Sequence, residues 1–334
     1  MRRLLTLLLT TALAFTATAD PLFESDAPLA LTVTADLSKA ERERDKEAKY
    51  PGTVQISGKQ FEVDVELRGN RRLNPQICRH PPLRLDFRKK EIDDTLLDHQ
   101  NDIKLVVQCQ PGSRFADYVR AEFLVYKAMN LLTPLSYRVR WVDATFVDTS
   151  GRGERTEGAF FVERKSRLAK RNELDAADLQ HISVDQLAAK HAALVNLFQY
   201  VIANPDYSLI APPPGDDCCH NAKLLTDGKG TFEPVIYDFD SAGVVDASYA
   251  VPAAGLGIRR VTDRTYRGYC IHNEALTGAR AALLQKAQQI IGLFRDDPLL
   301  GTRQKNRSTR FLEKSFEHLT KDRLFERYIV SRCR

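Results

Sequence analysis

Asn204-Pro205-Asp206-Tyr207-Ser208, Cys218-Cys219-His220-Asn221-Ala222-Lys223-Leu224-Leu225 and Glu233-Pro234-Val235-Ile236-Tyr237-Asp238-Phe239-Asp240 are the stretches on which the chain turns. The first follows a long apolar helical pattern. The second enters a short apolar run. The third is a strand-like run that ends on two carboxylates. An Asp after a helix, an Asn on a loop and an Asp-x-Asp at a strand end supply what phosphoryl transfer requires. One carboxylate can orient and deprotonate a hydroxyl, while an amide oxygen and further carboxylates can hold Mg²⁺ against phosphates.

Working outward toward the N-terminus, the pattern is that of strands. Leu29 to Thr34, Val54 to Ile56 and Phe61 to Leu67 are strand candidates, with a turn at Ser57-Gly58-Lys59-Gln60. In Phe61 to Leu67 the apolar residues alternate with Glu62, Asp64 and Glu66, the period of a half-buried strand. Leu83 to Phe87 and Ile103 to Val107 follow, with Lys104 on the face opposite Ile103, Leu105 and Val107. Phe115 to Leu132 then changes period. Phe115, Tyr118, Val119, Glu122 and Tyr126 share one helical stripe, which puts Glu122 on a largely apolar face. Tyr137 to Val147 and Gly158 to Val162 resume the strand pattern, and the charged stretch from Glu163 to His181 reads as a connector.

Toward the C-terminus the pattern is helical. Leu187, Leu194, Val195, Phe198, Val201 and Ile202 mark a core helix ending at Asn204-Pro205, where Pro205 biases the chain out of helix. Ala242 to Cys270 is irregular and carries Arg259, Arg260, Arg264 and Arg267. Two amphipathic helices, near Glu274 to Phe294 and Thr309 to Val330, close the chain. Strands with one helix, then mostly helices, predict an α+β chain in two lobes, residues 20–165 and 166–334.

Residues 1–19 read as a secretory leader. Arg2 and Arg3 precede the apolar run Leu4 to Phe15, and Ala17-Thr18-Ala19 is an A-x-A cleavage site. No second stretch is long enough to cross a bilayer, so the expectation is an exported chain, periplasmic or secreted, without a transmembrane segment once the leader is removed. The formal charge is only +5 over 334 residues, two of those charges lying in the leader, which argues against a nucleic-acid partner. All six cysteines follow the leader, and an even count in an exported chain predicts disulfides. The preferred pairs are Cys78 with Cys109, and Cys218 or Cys219 with Cys270. A zinc site at Cys218-Cys219-His220 is the competitor, disfavoured because adjacent cysteines are poor chelate spacing.

The order Asp, Asn, Asp-x-Asp behind a β-rich half resembles the spore-coat-protein-H-like (CotH) atypical kinases. That family carries an Arg-Gly-Asn motif at a strand end, matched by Arg68-Gly69-Asn70, and an Asn-x-Asp segment, matched by Asn204-Pro205-Asp206; Asn221 and Asp238-Phe239-Asp240 complete the order over residues 50–245. The resemblance implies a bilobal protein-kinase-like fold, with a β-rich N-lobe containing one helix and a mostly helical C-lobe. It implies Asp206 as base, Asn221, Asp238 and Asp240 as Mg²⁺ ligands, and ATP as phosphoryl donor to a hydroxyl on a protein or glycan. Lys104 paired with Glu122 would meet the phosphates. Arg84 is the rival for that role, and Arg68 stands close enough in the motif to touch phosphate. The pattern departs from ordinary kinases in lacking G-x-G-x-x-G and in an insertion, Ala211 to Cys219, between Asp206 and Asn221. Two alternatives accompany the phosphotransferase: nucleotidyl transfer by the same fold, and a catalytically inactive kinase-like envelope module that only binds.

Overall fold

Alternating apolar residues give the first half of the chain its strands, and pairing between the first and sixth of them decides the architecture. In the computed structural model, which describes residues 20–151, 153–212 and 218–334, the elements of this half are β1 (Leu29–Ala35), α1 (Leu37–Glu43), β2 (Lys49–Ile56), β3 (Lys59–Leu67), β4 (Leu83–Phe87), α2 (Lys89–Ile92), β5 (Asp102–Val106), α3 (Ser113–Asn130), β6 (Val139–Asp148) and β7 (Glu154–Val162). The expected leader lies outside the described residues, as does part of the insertion between Asp206 and Asn221.

β1 pairs antiparallel with β2, Leu31 opposite Ile56, and parallel with β6, Leu31 opposite Ala144. The second pairing closes the sheet into a barrel in the order β1-β2-β3-β4-β5-β7-β6. Inward residues at every second position, among them Val33, Val63, Val65, Leu85, Phe146 and Phe161, fill its interior. Such a barrel is a packed core in its own right, and closure removes the open sheet edges.

The remaining elements are α4 (Lys165–Arg171), β8 (Asp175–Ala177), α5 (Ala189–Ile202), β9 (Ala222–Thr226), β10 (Phe232–Ile236), α6 (Leu276–Arg295), α7 (Thr302–Thr320) and α8 (Asp322–Tyr328). β10, β9 and β8 make a small antiparallel sheet. α5, α6 and α7 pack together, and α3 joins them from the outside of the barrel. Phe123 of α3 meets Trp141 of β6 and Phe160 of β7 edge to face, with ring centroids 5.4 and 5.7 Å apart. Gly158 leaves the room this needs, since a β-carbon there would sit 2.3 Å from the Trp141 ring. One continuous apolar cluster therefore runs from β6, β7 and α3 through α5 to the C-terminal helices.

These features overturn the expected bilobal kinase-like fold. The strands form a closed seven-stranded mixed barrel with a helical C-terminal region, and α3 belongs to the helical core. The physical reason is that period-2 alternation tells which side chains face inward and is silent on which strand edges meet. The parallel contact of β1 with β6 joins segments far apart in sequence. Two smaller expectations also change. The segment from Glu163 to His181 contains α4 and the edge strand β8, and Glu163 is buried, accepting from Arg171 at 2.7 Å. The final helix is two, because Lys321 is extended between α7 and α8.

Three disulfides are present: Cys78–Cys109, as expected, Cys218–Cys219 and Cys270–Cys333. Cys270 does not pair with Cys218 or Cys219. The C-terminal tail lies beside it instead, with Arg334 N–H donating to Gly268 O and Cys270 N–H to Arg334 O, which brings Cys333 within a Cα separation of 4.9 Å. Among the described residues, no helix is long and apolar enough to cross a membrane.

Cys270 and Cys333 are 63 residues apart, so loop-closure entropy sets a ceiling of about 4 kcal/mol on what this crosslink contributes. The Cys270→Ser/Cys333→Ser variant should lose about 2–4 kcal/mol of unfolding free energy in urea; an unchanged midpoint would show that the tail is held without it.

Candidate active site

A cleft of about 600 Å³ opens where the ends of β3 and β5 and the face of α3 meet the loops that follow α5 and β10. Each wall comes from a different part of the chain. Arg68 to Arg72 leave the end of β3. Lys104 lies on β5 and Glu122 on α3. Asp206 follows α5, His220 and Asn221 precede β9, and Asp238 and Asp240 follow β10.

The loop geometry explains how these groups are aimed. Asn221 and Asp238 both have left-handed backbones, with φ of +49° and +65°. Asn and Asp tolerate that region better than other side-chain-bearing residues. Tyr237 N–H donates to Asn221 O at 3.1 Å, which ties the two loops together. Asp238 N–H donates to the Tyr126 hydroxyl at 2.9 Å, fixing the Asp-x-Asp turn to α3. The Asn221 amide donates from Nδ2 to Asp206 O at 2.7 Å and faces Asp206 Oδ2 at 3.4 Å. Its Oδ1 makes no hydrogen bond to the described residues and stays available as an oxygen donor. His220 Nε2 meets Asp206 Oδ1 at 2.7 Å. Behind Asp206, the Arg267 guanidinium donates to both Pro205 O and Tyr207 O and covers the Tyr207 ring at 5.1 Å. The main chain on either side of Asp206 is thereby clamped.

Charge is concentrated on the floor. Glu122, only 3% exposed, shares it with Asp240 and Asp238. Burial, reinforced by the charges of Asp240 and Asp238, holds the Glu122 carboxyl well above the usual range. Burial and the Asp238 charge push Asp240 up to about 6. Arg72 is the cation among them, 3.8 Å from Asp240 and donating to Val107 O at 2.7 Å. Burial opposes its charge, but Tyr249, Asp240, Glu122 and Asp238 outweigh it and raise its pKa. Its Nε is buried without a partner. In the same cleft, burial and the neighbouring Arg68 push Lys104 down to about 7, with Asp238 opposing. The Lys104 ammonium lies 4.8 Å from the centre of the Tyr237 ring.

The residues expected from sequence divide as follows. Arg68, Lys104, Glu122, Asp206, Asn221, Asp238 and Asp240 all line the cleft. Arg84 does not. It faces Glu66 across the β3–β4 ladder with a 3.5 Å ion pair, and bears on the cleft only through its charge on Lys104. Lys104 and Glu122 are not joined by an ion pair; the cations facing Glu122 are Arg72 and Arg68. Glu122 points from α3 at the Asp-x-Asp turn, and the helical stripe gives no information on that direction. The grip of Arg267 and the positions of Tyr249 and Lys223 escaped sequence reasoning. Lys223 had a signal, being the lone cation in the apolar run that enters β9. The other two lie in the irregular stretch after Asp240, which has no period to read.

Among the described residues, no three His, Cys, Asp or Glu side chains are grouped closely enough to hold a metal by themselves. Cys218 and Cys219 are bonded to each other, so neither offers a thiolate beside His220. Mg²⁺ needs no all-protein cage, because it keeps waters and takes one or two carboxylates together with phosphate oxygens. Asp238, Asp240 and the free Oδ1 of Asn221 are hard oxygen donors of that kind. Compared with protein-family models and with curated proteins, the chain matches none.

Because Asp240 binds its proton more tightly folded than unfolded, its contribution to stability is full below pH ~4 and lost as the pH rises through about 6. Urea unfolding at pH 4, 5 and 6 should show that loss in the wild type and a flatter profile in Asp240→Asn. Parallel profiles would mean that Asp240 does not carry the raised pKa.

Proposed function

We propose that this cleft binds a magnesium nucleotide and transfers a phosphoryl group from ATP to a hydroxyl on a protein or glycan. The observation that carries the proposal is the meeting of Asp206, Asn221, Asp238 and Asp240 with Lys104 and Arg68 in one cleft. The reading rests on the site and takes nothing from fold analogy.

The chemistry divides between an acidic and a basic wall. Asp238, Asp240 and Asn221 Oδ1 would hold Mg²⁺, which when bound neutralises charge on the transferring phosphates. Arg68 and Lys104 face the space that a polyphosphate would fill. A Lys that sits near pH 7 in the free protein regains its charge beside an anion, so phosphate binding and protonation of Lys104 reinforce each other. Asp206 lies across the cleft, beside the place of the acceptor hydroxyl, and the Arg267 clamp keeps its backbone fixed. Positioning and charge neutralisation account for most of the rate in such a site.

The same reading takes the chain to be exported. Three disulfides and the absence, among the described residues, of a membrane-crossing helix support it. The acceptor then belongs to the cell envelope or the exterior.

Calorimetry tests the proposal. Asp238→Asn should weaken Mg·ATP binding by about 100-fold, while its melting temperature stays near wild type, since Asn tolerates the left-handed backbone at this position, φ +65°, as Asp does. Unchanged affinity together with a large fall in melting temperature would assign Asp238 a structural role.

A further inference from the structure

We propose that Arg72 grips the terminal phosphate of the nucleotide and so sets a preference for a triphosphate over a diphosphate; this rests on the phosphotransfer reading above. The side chain lines the cleft and is 12% exposed. Its Nη2 donates to Val107 O at 2.7 Å. Its Nη1 faces Asp240 Oδ2 across 3.8 Å, too far for a hydrogen bond, and makes none to the described residues. The guanidinium is thus anchored at one nitrogen and leaves another free beside a carboxylate assigned to Mg²⁺.

Two further contacts keep it there. The guanidinium lies 5.8 Å from the centre of the Tyr249 ring, which stacks on Phe115 of α3 with centroids 6.4 Å apart and planes 7° from parallel. The neighbouring Arg71 donates from Nη2 to Tyr249 O at 2.7 Å. Residues 71–72 at the barrel end are therefore joined to the loop that follows Asp240. Among the described residues, Arg72 is the one cleft cation within ion-pair distance of Asp238 or Asp240. Arg68 and Lys104 line the same cleft without such a contact.

The anion that completes the site follows from charge. Once Asp240 serves a metal ion its charge is shared, and a guanidinium held in place at Nη2 needs another anion beside Nη1. Phosphate oxygens that share the ion with Asp240 meet that need. In phosphotransfer sites the ion joins β- and γ-oxygens. The cation beside its ligands therefore meets the terminal end of the polyphosphate, and the inner phosphates are left to Arg68 and Lys104. A charge-assisted N–H···O bond to phosphate is shorter and stronger than the present 3.8 Å pair. A diphosphate offers no oxygen at that position.

Calorimetric titration of the purified protein with Mg·ATP and with Mg·ADP tests this. The wild type should bind Mg·ATP about 10–100-fold more tightly than Mg·ADP, the worth of one charge-assisted hydrogen bond. Arg72→Gln should bring Mg·ATP down to the Mg·ADP level and leave Mg·ADP within about twofold of wild type, because no contact to the diphosphate is lost. Arg72→Lys keeps a cation on the acidic floor, in case the Gln variant does not fold. Its point charge cannot hold Val107 O and a phosphate oxygen from two nitrogens, so the preference should still fall by about tenfold. A wild type that binds the two nucleotides equally, or variants that lose affinity for both alike or for neither, overturn the assignment and leave the phosphotransfer reading standing. A wild type with no affinity for either nucleotide overturns that reading, and the assignment falls with it.

Discussion

Carboxylates taken out of water lose the hydration that favours their charge, and this burial, reinforced by their mutual repulsion, governs the centre of the molecule. Glu122, Asp238 and Asp240 meet at the floor of the cleft with one buried guanidinium, Arg72, among them. Arg72 is itself committed to Val107 O and leaves Nε without a partner. The floor therefore carries more negative charge than its own cation balances, and protons make up part of the difference, as the raised pKa values of Glu122 and Asp240 record. Stable folding alone gives little reason to assemble such a cluster, because apolar replacements fill a core at lower cost. A divalent cation with a polyphosphate relieves both the acidic floor and the basic wall at once.

The barrel and the helical core supply the rigidity this requires. Closure between β1 and β6 fixes the barrel ends from which Arg68 and Lys104 project. α3 lies against β6 and β7, so Glu122 and Tyr126 are set on a surface that cannot tilt freely. The Tyr126 hydroxyl then fixes the Asp-x-Asp turn. On the far side, Arg267 holds the chain around Asp206. The residues just beyond it are tied to the C-terminal tail by main-chain hydrogen bonds and by Cys270–Cys333. The site thus depends on contacts that reach the last residues of the chain.

Much of this was legible before any coordinates. Alternation in Phe61 to Leu67 and in Leu83 to Phe87 identified strands, because inward residues of a barrel must be apolar at every second place. The chemical types at Asp206, Asn221, Asp238 and Asp240 identified one cleft, because few other uses bring such groups to the ends of a helix and a strand. What failed was long-range geometry. Nothing in the spacing told that β1 would meet β6, and the expectation of two lobes followed from that silence. Arg84 looked suitable because it is a basic residue a short way after Arg68-Gly69-Asn70, as the resemblance implies, while the ladder contact with Glu66 that takes it out of the cleft is not visible in sequence. Cys270 had several partners open to it, and only the path of the tail selects Cys333.

The central claim is that the acidic floor awaits a metal–nucleotide complex, and its protons report on that directly. Preformed Mg·ATP should be titrated into the protein at pH 6 in two buffers of different ionisation enthalpy. At that pH Asp240 is near the middle of its titration, so binding should release protons and the two apparent enthalpies should differ accordingly. Binding with no proton release, or no binding at all, would contradict the account.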